Sequence, residues 1–225
     1  MSVRELLRKM KGLVYRNPRP ALGDLDRKLA KYLDFRSGFF IEAGANDGYS
    51  QSNTYYLEKK LGWRGILVEG IPELYEKCRS LRSNSEVINC ALVRDASQTP
   101  VVNMHFAHLM SVVEGSLGDT DEQRKHIETG LEVQRLEGTY SVEVPARTLE
   151  SVLENIPIPE EIDFFSLDVE GGELAVLQGL NLARFRPRYI LVEARFFDEV
   201  DELLQRHDYE MIEKLSHHDF LYQAK

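Results

Sequence analysis

Acidic residues carry the strongest chemical signal in this sequence. Short apolar segments with the composition of buried strands end in, or are closely followed by, carboxylates, which are Glu42, Glu69, Asp168, Glu170 and Glu193. A single acidic residue at a strand end is usually a cap or a surface residue. Five at one predicted edge of a sheet form a candidate site, because neighbouring carboxylates raise one another's pKa and favour proton transfer or cation binding.

The first of these carboxylates opens a glycine loop, EAGANDG, between a predicted strand and a predicted helix. The loop lacks both the G-x-G-x-x-G pattern of dinucleotide sites and the lysine of a P-loop. Glu42 and Asp47 would also repel a pyrophosphate. Gly44 and Gly48 are expected to let the backbone approach a ligand, and Asn46 is a residue type that accepts a left-handed conformation. A cationic ligand is therefore expected.

Glu69 ends the second predicted strand, where a carboxylate can accept hydrogen bonds from the two hydroxyls of a ribose. A ligand that combines a ribose and an adenine with a positive centre and no phosphate is S-adenosylmethionine. Its sulfonium and ammonium groups suit an acidic edge, because opposite charges attract strongly in a partly desolvated site. The residues thus lead to S-adenosylmethionine as the cofactor hypothesis.

The elements that would position these residues are strands that alternate with helices. A helix with the apolar stripe Leu22, Leu25, Leu29 and Leu33 comes first. The predicted strands lie at residues 39–41, 65–69, 87–91, 162–168, 189–193, 209–215 and 220–223. Further helices are predicted around residues 55–57, 72–82, 172–185 and 198–206. A short turn joins the last two strands, which should therefore form an antiparallel hairpin.

This order of elements resembles the class I methyltransferases. It predicts an α/β, Rossmann-like fold with a mostly parallel seven-stranded sheet, a C-terminal antiparallel hairpin and helices on both faces. The ligand of an open sheet of this kind lies over the carboxyl ends of its strands. The five acidic residues are predicted to meet at that edge.

Three stretches make the resemblance more specific: FFIEAGANDGYSQSNTYYLEKKLGWRGILVEG, VPARTLESVL and FFSLDVEGGELAVLQGL. They are similar to the FkbM family of S-adenosylmethionine-dependent methyltransferases, from about residue 22 to 193. That family is associated with O-methylation of hydroxyls on polyketides and on glycan sugars, so the resemblance implies an acceptor of this kind. Together with the charge argument it gives the predicted cofactor-binding residues Glu42, Gly44, Asn46, Asp47, Gly48, Ser50, Asn53, Glu69, Cys90 and Ala91.

Methyl transfer to a hydroxyl needs a group that accepts the hydroxyl proton. The predicted catalytic residues are Asp168, Glu170, Glu193 and His105. Asp168 and Glu193 could instead hold a divalent cation such as Mg²⁺, which would lower the pKa of the acceptor hydroxyl. Further histidines stay open as alternative bases, namely His108, His217 and His218.

Other interpretations also stay open. The DVEGGE stretch could simply begin a helix, with Glu170 and Glu173 near its positive end. A nicotinamide-dependent oxidoreductase would share the βαβ unit and Glu69 but should carry G-x-G-x-x-G. A non-catalytic binding protein of the same fold would not need the carboxylates after the fourth and fifth strands. Neither the acceptor nor the oligomeric state is predicted.

Charge divides the chain into two parts. Residues 1–19 carry six basic residues against one acidic residue, a charge of +5, which leaves −14 for the rest of a chain of net charge −9. A charge of −14 on residues 20–225 argues against nucleic acid as a partner. Residues 1–21 form a predicted basic amphipathic segment, which could contact an anionic membrane, its own domain or a second subunit. Residues 22–225 form the predicted methyltransferase domain.

Two further expectations come from composition. Residues 108–140 interrupt the alternation with glycines and charges and contain only one predicted helix, near 121–131, which is typical of a lid. Cys78 and Cys90 lack the spacing of metal ligands, and no apolar run reaches about 18 residues. These features predict a cytoplasmic protein, with peripheral membrane contact through residues 1–19 as an alternative.

Overall fold

The computed structural model describes residues 17–97 and 99–225. The strands in these ranges are β1 (Phe39–Ala43), β2 (Arg64–Glu69), β3 (Glu86–Asn89), β4 (Ala91–Leu92), β5 (Val101–His105), β6 (Val112–Val113), β7 (Ser141–Arg147), β8 (Ile162–Leu167), β9 (Pro187–Glu193), β10 (Tyr209–Lys214) and β11 (Asp219–Ala224). The helices are α1 (Leu25–Leu33), α2 (Tyr55–Leu61), α3 (Pro72–Leu81), α4 (Thr120–Gln134), α5 (Leu149–Leu153), α6 (Glu173–Gln178) and α7 (Phe197–Arg206). None of these helices is both long and apolar enough to cross a membrane. The predicted basic segment falls mainly on residues 1–16, outside the described ranges.

Seven strands form the main sheet in the order β10-β11-β9-β8-β1-β2-β3. The strands from β9 to β3 run parallel, and β11 pairs antiparallel with both β9 and β10. The predicted α/β fold, with a mostly parallel sheet and a C-terminal antiparallel hairpin, is confirmed. Because β1 pairs with both β2 and β8, the ends of these three strands bring Glu42, Glu69 and Asp168 to neighbouring positions.

The central strands are buried on both faces, which explains their nearly continuous apolar sequences. Side chains alternate along β1, so that Phe39 and Ile41 join one apolar cluster and Phe40 joins another. Helices α5, α6 and α7 contribute to the first cluster, and α1, α2 and α3 contribute to the second. Helices thus cover both faces, as predicted.

Local conformation shortens two predicted helices. The first regular helix begins at Leu25, because Gly23 and Asp24 adopt left-handed conformations with φ of 56° and 59°. A left-handed residue cannot continue a right-handed helix. Of the helix predicted at residues 172–185, only α6 is helical, and it ends at Gln178 with Gly179 as its C-cap.

The predicted strand at residues 87–91 divides between two sheets. It pairs with β2 only as far as Asn89, whose side-chain amide donates to the carbonyls of Glu69 and Gly70 at 2.8 Å each. These bonds occupy the end of β2, and the chain leaves the main sheet at Cys90. Ala91 then begins β4, which pairs with β7 in a second sheet.

The sequence does not predict this second sheet, which has four strands in the order β4-β7-β5-β6. Its longest pairing joins β5 and β7, which flank the segment predicted as a lid. The predicted helix in that segment exists and is longer than expected, because α4 extends from Thr120 to Gln134. The segment is therefore built from regular elements, and its role as a lid stays a prediction.

Candidate active site

A cavity of about 600 Å³ lies over the carboxyl ends of β1, β2, β8 and β9. The main sheet contributes one side of the lining, and residues 108–116 together with α4 contribute another. All five acidic residues singled out in the sequence line this cavity. The acidic edge expected from strand order is thus present in the fold.

Most of the predicted cofactor-binding residues also line this cavity, namely Glu42, Gly44, Asn46, Ser50, Asn53, Glu69, Cys90 and Ala91. Asp47 and Gly48 do not line it. Among the predicted catalytic residues, Asp168, Glu170 and Glu193 face the cavity and His105 does not. The structure therefore separates His105, Asp47 and Gly48 from the other candidates.

The two glycines of the loop make room for the protein itself. Gly44 has φ of 83°, and a Cβ there would lie 1.7 Å from the carbonyl oxygen of Asp168. Gly48 has φ of 77°, and its Cβ would lie 2.9 Å from atoms of Arg82 and Cys78. The expectation that both glycines serve a close approach to a ligand needs correction at Gly48, because that residue packs against the end of α3.

Asn46 and Glu69 connect the glycine loop to the end of β2. Asn46 is left-handed, with φ of 48°, as its residue type predicts. Its backbone N–H donates to Glu69 Oε2 at 2.7 Å, and the N–H of Ile71 donates to Glu69 Oε1 at 2.7 Å. Burial raises the pKa of Glu69 to about 7, although these two hydrogen bonds act in the opposite direction and lower it. The Glu69 carboxyl is therefore held in a fixed orientation at the cavity.

Asp47 stabilises the turn that follows the loop. Its Oδ1 accepts hydrogen bonds from the backbone N–H groups of Tyr49 and Ser50 at 2.9 and 2.7 Å. Burial raises the pKa of this carboxyl, but the amide and hydroxyl donors outweigh it and hold the pKa below its ordinary value. Because its oxygens serve the turn, Asp47 acts as a structural residue of the loop.

A buried arginine holds the loop between β1 and α2. Arg82 follows α3 and is completely buried, with its Nε 2.8 Å from Glu58 Oε2 and its Nη1 3.3 Å from Glu42 Oε2. It also donates to the Thr54 hydroxyl at 2.7 Å and to the Gly48 carbonyl at 3.2 Å. A buried cation needs this many acceptors, because an unpaired charge is very costly away from water.

Glu42 belongs to this arginine network although it also lines the cavity. Its carboxylate accepts from the Thr54 hydroxyl at 2.6 Å and from the Ser52 hydroxyl at 2.9 Å, besides pairing with Arg82. The Ser52 hydroxyl also accepts the N–H of Tyr55, the first residue of α2, at 3.1 Å. Sequence analysis missed Arg82, because no local pattern around it shows which distant carboxylates it meets.

Asp168 and Glu193 form a pair of carboxyl groups at the ends of β8 and β9. Burial raises the pKa of Asp168 well above its ordinary value, and the charges of Glu193 and Glu170 raise it further. Burial also raises the pKa of Glu193, whereas its hydrogen bond with Asp168 lowers it. One proton shared between the two carboxyls satisfies both effects, because two adjacent carboxylates cannot both ionise easily.

Glu170 and Glu173 have different surroundings although both follow β8. Glu173 Oε1 accepts the N–H groups of Gly171 and Val169 at 2.9 and 3.2 Å, so it stabilises the turn that leads into α6, in whose first turn it lies. Glu170 is left-handed, with φ of 55°, and lines the cavity. Burial and the neighbouring carboxylates Glu193 and Glu173 raise the pKa of Glu170 to about 8.

The histidines considered as bases are distributed over three places. His105 lies on β5 with its Nδ1 2.9 Å from the Ser141 hydroxyl, outside the cavity lining. His217 and His218 are exposed in the turn between β10 and β11. Of these four histidines, His108 lines the cavity, in a left-handed conformation with φ of 51°. The preference for His105 as a base therefore receives no geometric support.

The acidic edge was also a predicted site for a divalent cation. Within residues 17–97 and 99–225, no group of three or more His, Cys, Asp and Glu side chains is arranged to hold a metal ion. The predicted divalent cation at Asp168 and Glu193 therefore gains no support from the fold.

The sheet order and the cavity over the carboxyl ends of its parallel strands define a class I methyltransferase fold. Residues 42–221 match the family model described as "Methyltransferase FkbM domain". The chain therefore belongs to the FkbM family of methyltransferases, as the three sequence stretches indicate. No curated protein matches the sequence.

Solved structures with a similar arrangement are distant in sequence. A TehB-like SAM-dependent methyltransferase from Corynebacterium glutamicum is 10% identical, with 99% of this chain and 97% of that chain covered and a TM-score of 0.47. A SAM-dependent methyltransferase from Aquifex aeolicus is 14% identical, with 96% of each chain covered and a TM-score of 0.46. Fibrillarin from Aeropyrum pernix, in complex with natively bound S-adenosyl-L-methionine, is 14% identical, with 89% and 76% covered and a TM-score of 0.45.

Proposed function

We propose that the protein transfers a methyl group from S-adenosylmethionine to a hydroxyl of a sugar, a glycan or a polyketide-type molecule. The observation that carries this proposal is the cavity lined by carboxylates at the ends of β1, β2, β8 and β9, where Asp168 and Glu193 both have raised pKa values. Such a cavity combines attraction for a cation with a group that can accept a proton. Both properties are required for methyl transfer to a hydroxyl.

The residues of the cavity suit S-adenosylmethionine in charge and in size. A volume of about 600 Å³ lies within the usual range of small-molecule sites, about 300–1,000 Å³. Glu69 would hold the ribose hydroxyls, the backbone around Gly44 and Asn46 would hold the amino-acid part, and Cys90 and Ala91 would contact the adenine. When bound, the cofactor supplies an electrophilic methyl carbon attached to a sulfonium.

The Asp168–Glu193 pair is the proposed proton acceptor. A carboxyl whose pKa is raised toward neutrality is a better general base than an ordinary carboxylate at the same degree of ionisation. The fixed ends of β8 and β9 would orient the acceptor hydroxyl, and such positioning can supply roughly 7–11 kcal/mol of a barrier. Burial and neighbouring carboxylates raise the pKa of Glu170 to about 8, so near neutral pH this side chain is mainly a protonated carboxyl that can donate a hydrogen bond beside the pair.

Thermal unfolding in the presence of ligands tests the cofactor assignment. S-adenosylmethionine and S-adenosylhomocysteine, each at 100 times its dissociation constant, should stabilise the protein by about 2.7 kcal/mol, and NAD should not. A shift with NAD alone would favour the oxidoreductase alternative. No shift with either adenosyl ligand would contradict the proposal.

Replacing Asp168 by Asn tests the proton acceptor. With an acceptor found by screening sugars, glycans and polyketides for S-adenosylhomocysteine release, turnover should fall about 10²–10⁴-fold, because the shared carboxyl can no longer take the hydroxyl proton. Affinity for S-adenosylhomocysteine should change little. Asp198→Asn is the matched control, because Asp198 is exposed and outside the cavity lining. Near-normal turnover of Asp168→Asn would remove this residue from the mechanism.

Contact of residues 1–19 with an anionic membrane is a separate proposal, supported by their charge of +5 and their apolar periodicity. Flotation with vesicles that contain anionic lipids should recover the full chain, and a chain lacking residues 1–19 should stay in solution. Equal behaviour of the two chains would contradict it.

A further inference from the structure

Helix α4 contributes a buried histidine that the proposed chemistry does not use. His126 is 7% exposed, although most residues of α4 are exposed. Its ring contacts groups from three other parts of the chain, and each of them lies at or beside the cavity. A buried polar ring with partners on several elements is a candidate for fixing those elements relative to one another.

The contacts of His126 join the segment of residues 108–140, called the insertion below, to the acidic edge of the sheet. Its Nε2 lies 3.2 Å from the carbonyl oxygen of Met110 and 3.4 Å from Glu170 Oε2. Its Nδ1 lies 3.4 Å from Arg195 Nη1. Met110 and Glu170 line the cavity, and Arg195 follows Glu193 by two residues. Residues 108–116 of the insertion form one wall of the cavity. The His126 side chain therefore contacts both this wall and the sheet edge that carries the carboxyls.

The partners of the ring determine its tautomer. An arginine can only donate, so Nδ1 of His126 must accept from Arg195, and Nε2 must carry the proton that points to Met110 and Glu170. Burial lowers the pKa of His126, and the Arg195 charge lowers it further, which favours this neutral ring. The surroundings thus select one protonation state and one orientation of the side chain.

Other side chains of α4 hold the same wall but do not reach the edge carboxyls. Gln123 Oε1 accepts the N–H of Gly115 at 2.7 Å. Gln134 accepts the N–H of Leu109 at 2.9 Å and donates to the Ala107 carbonyl at 2.8 Å. These bonds fix the backbone of residues 107–115 on α4, and His126 adds the link from this unit to Glu170.

We infer that His126 is a positioning residue that fixes the wall around Met110 relative to Glu170 and Arg195, and so sets the width of the acceptor side of the cavity. This inference rests on the proposed function, because it assigns the wall to the acceptor. The cofactor side is held by other contacts, those of Arg82 and Glu69, so loss of the His126 ring should leave cofactor affinity unchanged.

Two substitutions and a neighbouring control separate positioning from packing. His126→Leu keeps apolar bulk and removes both nitrogens, whereas His126→Gln keeps one donor and one acceptor. Lys125→Leu makes the same change at an exposed neighbour on α4. Hydrogen exchange of residues 107–116 and affinity for S-adenosylhomocysteine are measured for each full-length variant.

In His126→Leu, exchange of residues 107–116 should be about tenfold faster, because the wall loses its buried link to Glu170 and Arg195 and keeps the exposed Glu122–Arg195 pair at 3.9 Å. His126→Gln and Lys125→Leu should exchange at nearly the wild-type rate, and all three should bind S-adenosylhomocysteine within about twofold of wild type. With an acceptor in hand, KM for that acceptor should rise about tenfold in His126→Leu and recover in His126→Gln.

Unchanged exchange in His126→Leu, or a failure of glutamine to restore protection, would overturn the inference. A wild-type protein that does not bind S-adenosylhomocysteine would count against the proposed function instead. If His126→Leu does not fold, ¹⁵N chemical shifts of wild-type His126 decide the matter. A protonated Nε2 with an unprotonated Nδ1 is expected, and the opposite tautomer would contradict the arrangement.

Discussion

The two sides of the cavity are built by different means. On the cofactor side, the loop from Glu42 to Thr54 is short in sequence, and its shape comes from left-handed residues and from one buried arginine. On the side of the insertion, backbone segments are held by side chains of α4 that lie up to 27 residues away along the chain. Both sides are therefore held by residues that are distant along the chain, but the first side also carries a local glycine motif by which the sequence can be recognised, and the second does not.

Replacing the buried arginine should cause the largest loss of unfolding free energy, and this loss comes from the cofactor side. Arg82→Met leaves the Glu42 carboxylate buried without a cation and leaves Glu58 paired with Lys59 alone, which should cost about 3–5 kcal/mol of unfolding free energy. Arg79→Met is the control, because Arg79 pairs with Glu76 at the surface and should cost less than about 1 kcal/mol. Equal losses in urea denaturation would show that the network does not hold the loop.

A methyl group at Gly44 tests the crowding between β1 and β8. Gly44→Ala should destabilise the protein by about 1–3 kcal/mol more than Gly62→Ala, because the added Cβ would meet the Asp168 carbonyl. Gly62 is also left-handed, with φ of 71°, but nothing lies within 4 Å of its Cβ position. The pair therefore separates backbone strain from collision, and equal destabilisation of the two variants would argue against the close approach.

The buried carboxyls predict an unusual dependence of stability on pH. The pKa values of Glu69, Glu170 and Glu173 are raised from 4.5 to about 7, 8 and 7. The folded protein therefore binds more protons than the unfolded chain between about pH 4.5 and 8, and unfolding free energy should fall as pH rises through this window.

Chemical denaturation at pH 6 and at pH 8 checks this expectation. The loss of stability between the two values should be smaller in Glu170→Gln by about 2 kcal/mol, because one of the groups that takes up a proton on folding is gone. A stability that rises between pH 6 and 8, or an unchanged slope in Glu170→Gln, would show that these carboxyls are ionised in the folded protein.

The smallest effect is expected at His105. His105→Gln should leave turnover within about twofold of wild type and unfolding free energy within about 0.5 kcal/mol, because the ring lies outside the cavity lining and its hydrogen-bond partner, Ser141, is exposed. A loss of turnover comparable with that of Asp168→Asn would restore His105 as a catalytic candidate and would place β5 closer to the chemistry than the cavity indicates.

The elements that could be predicted from sequence are those whose signals are local. The apolar runs of β1, β2, β8 and β9 and the acidic residues at their ends predict the parallel sheet and the composition of its edge. Asn46 predicts its own left-handed conformation from residue type alone. The hairpin of β10 and β11 follows from two strand patterns joined by a short turn.

The remaining features depend on partners that are distant in sequence. Nothing near Arg82 shows that it will be buried against Glu42 and Glu58, and an arginine is exposed in most proteins. The short strands β4 and β6 have two residues each, too few for a periodic pattern. His126 lies in a polar helix, and its burial results from the way in which α4 packs on the acidic edge.

The buried arginine also has a consequence for how the cofactor side recognises its ligand. The contacts that shape the loop between Gly48 and Thr54 are made within the protein, so the loop does not depend on a ligand for its conformation. A preorganised loop loses little conformational entropy on association. Cofactor binding should therefore resemble the docking of two rigid bodies, with a small change in heat capacity and an association rate limited by diffusion into the cavity rather than by rearrangement of the chain.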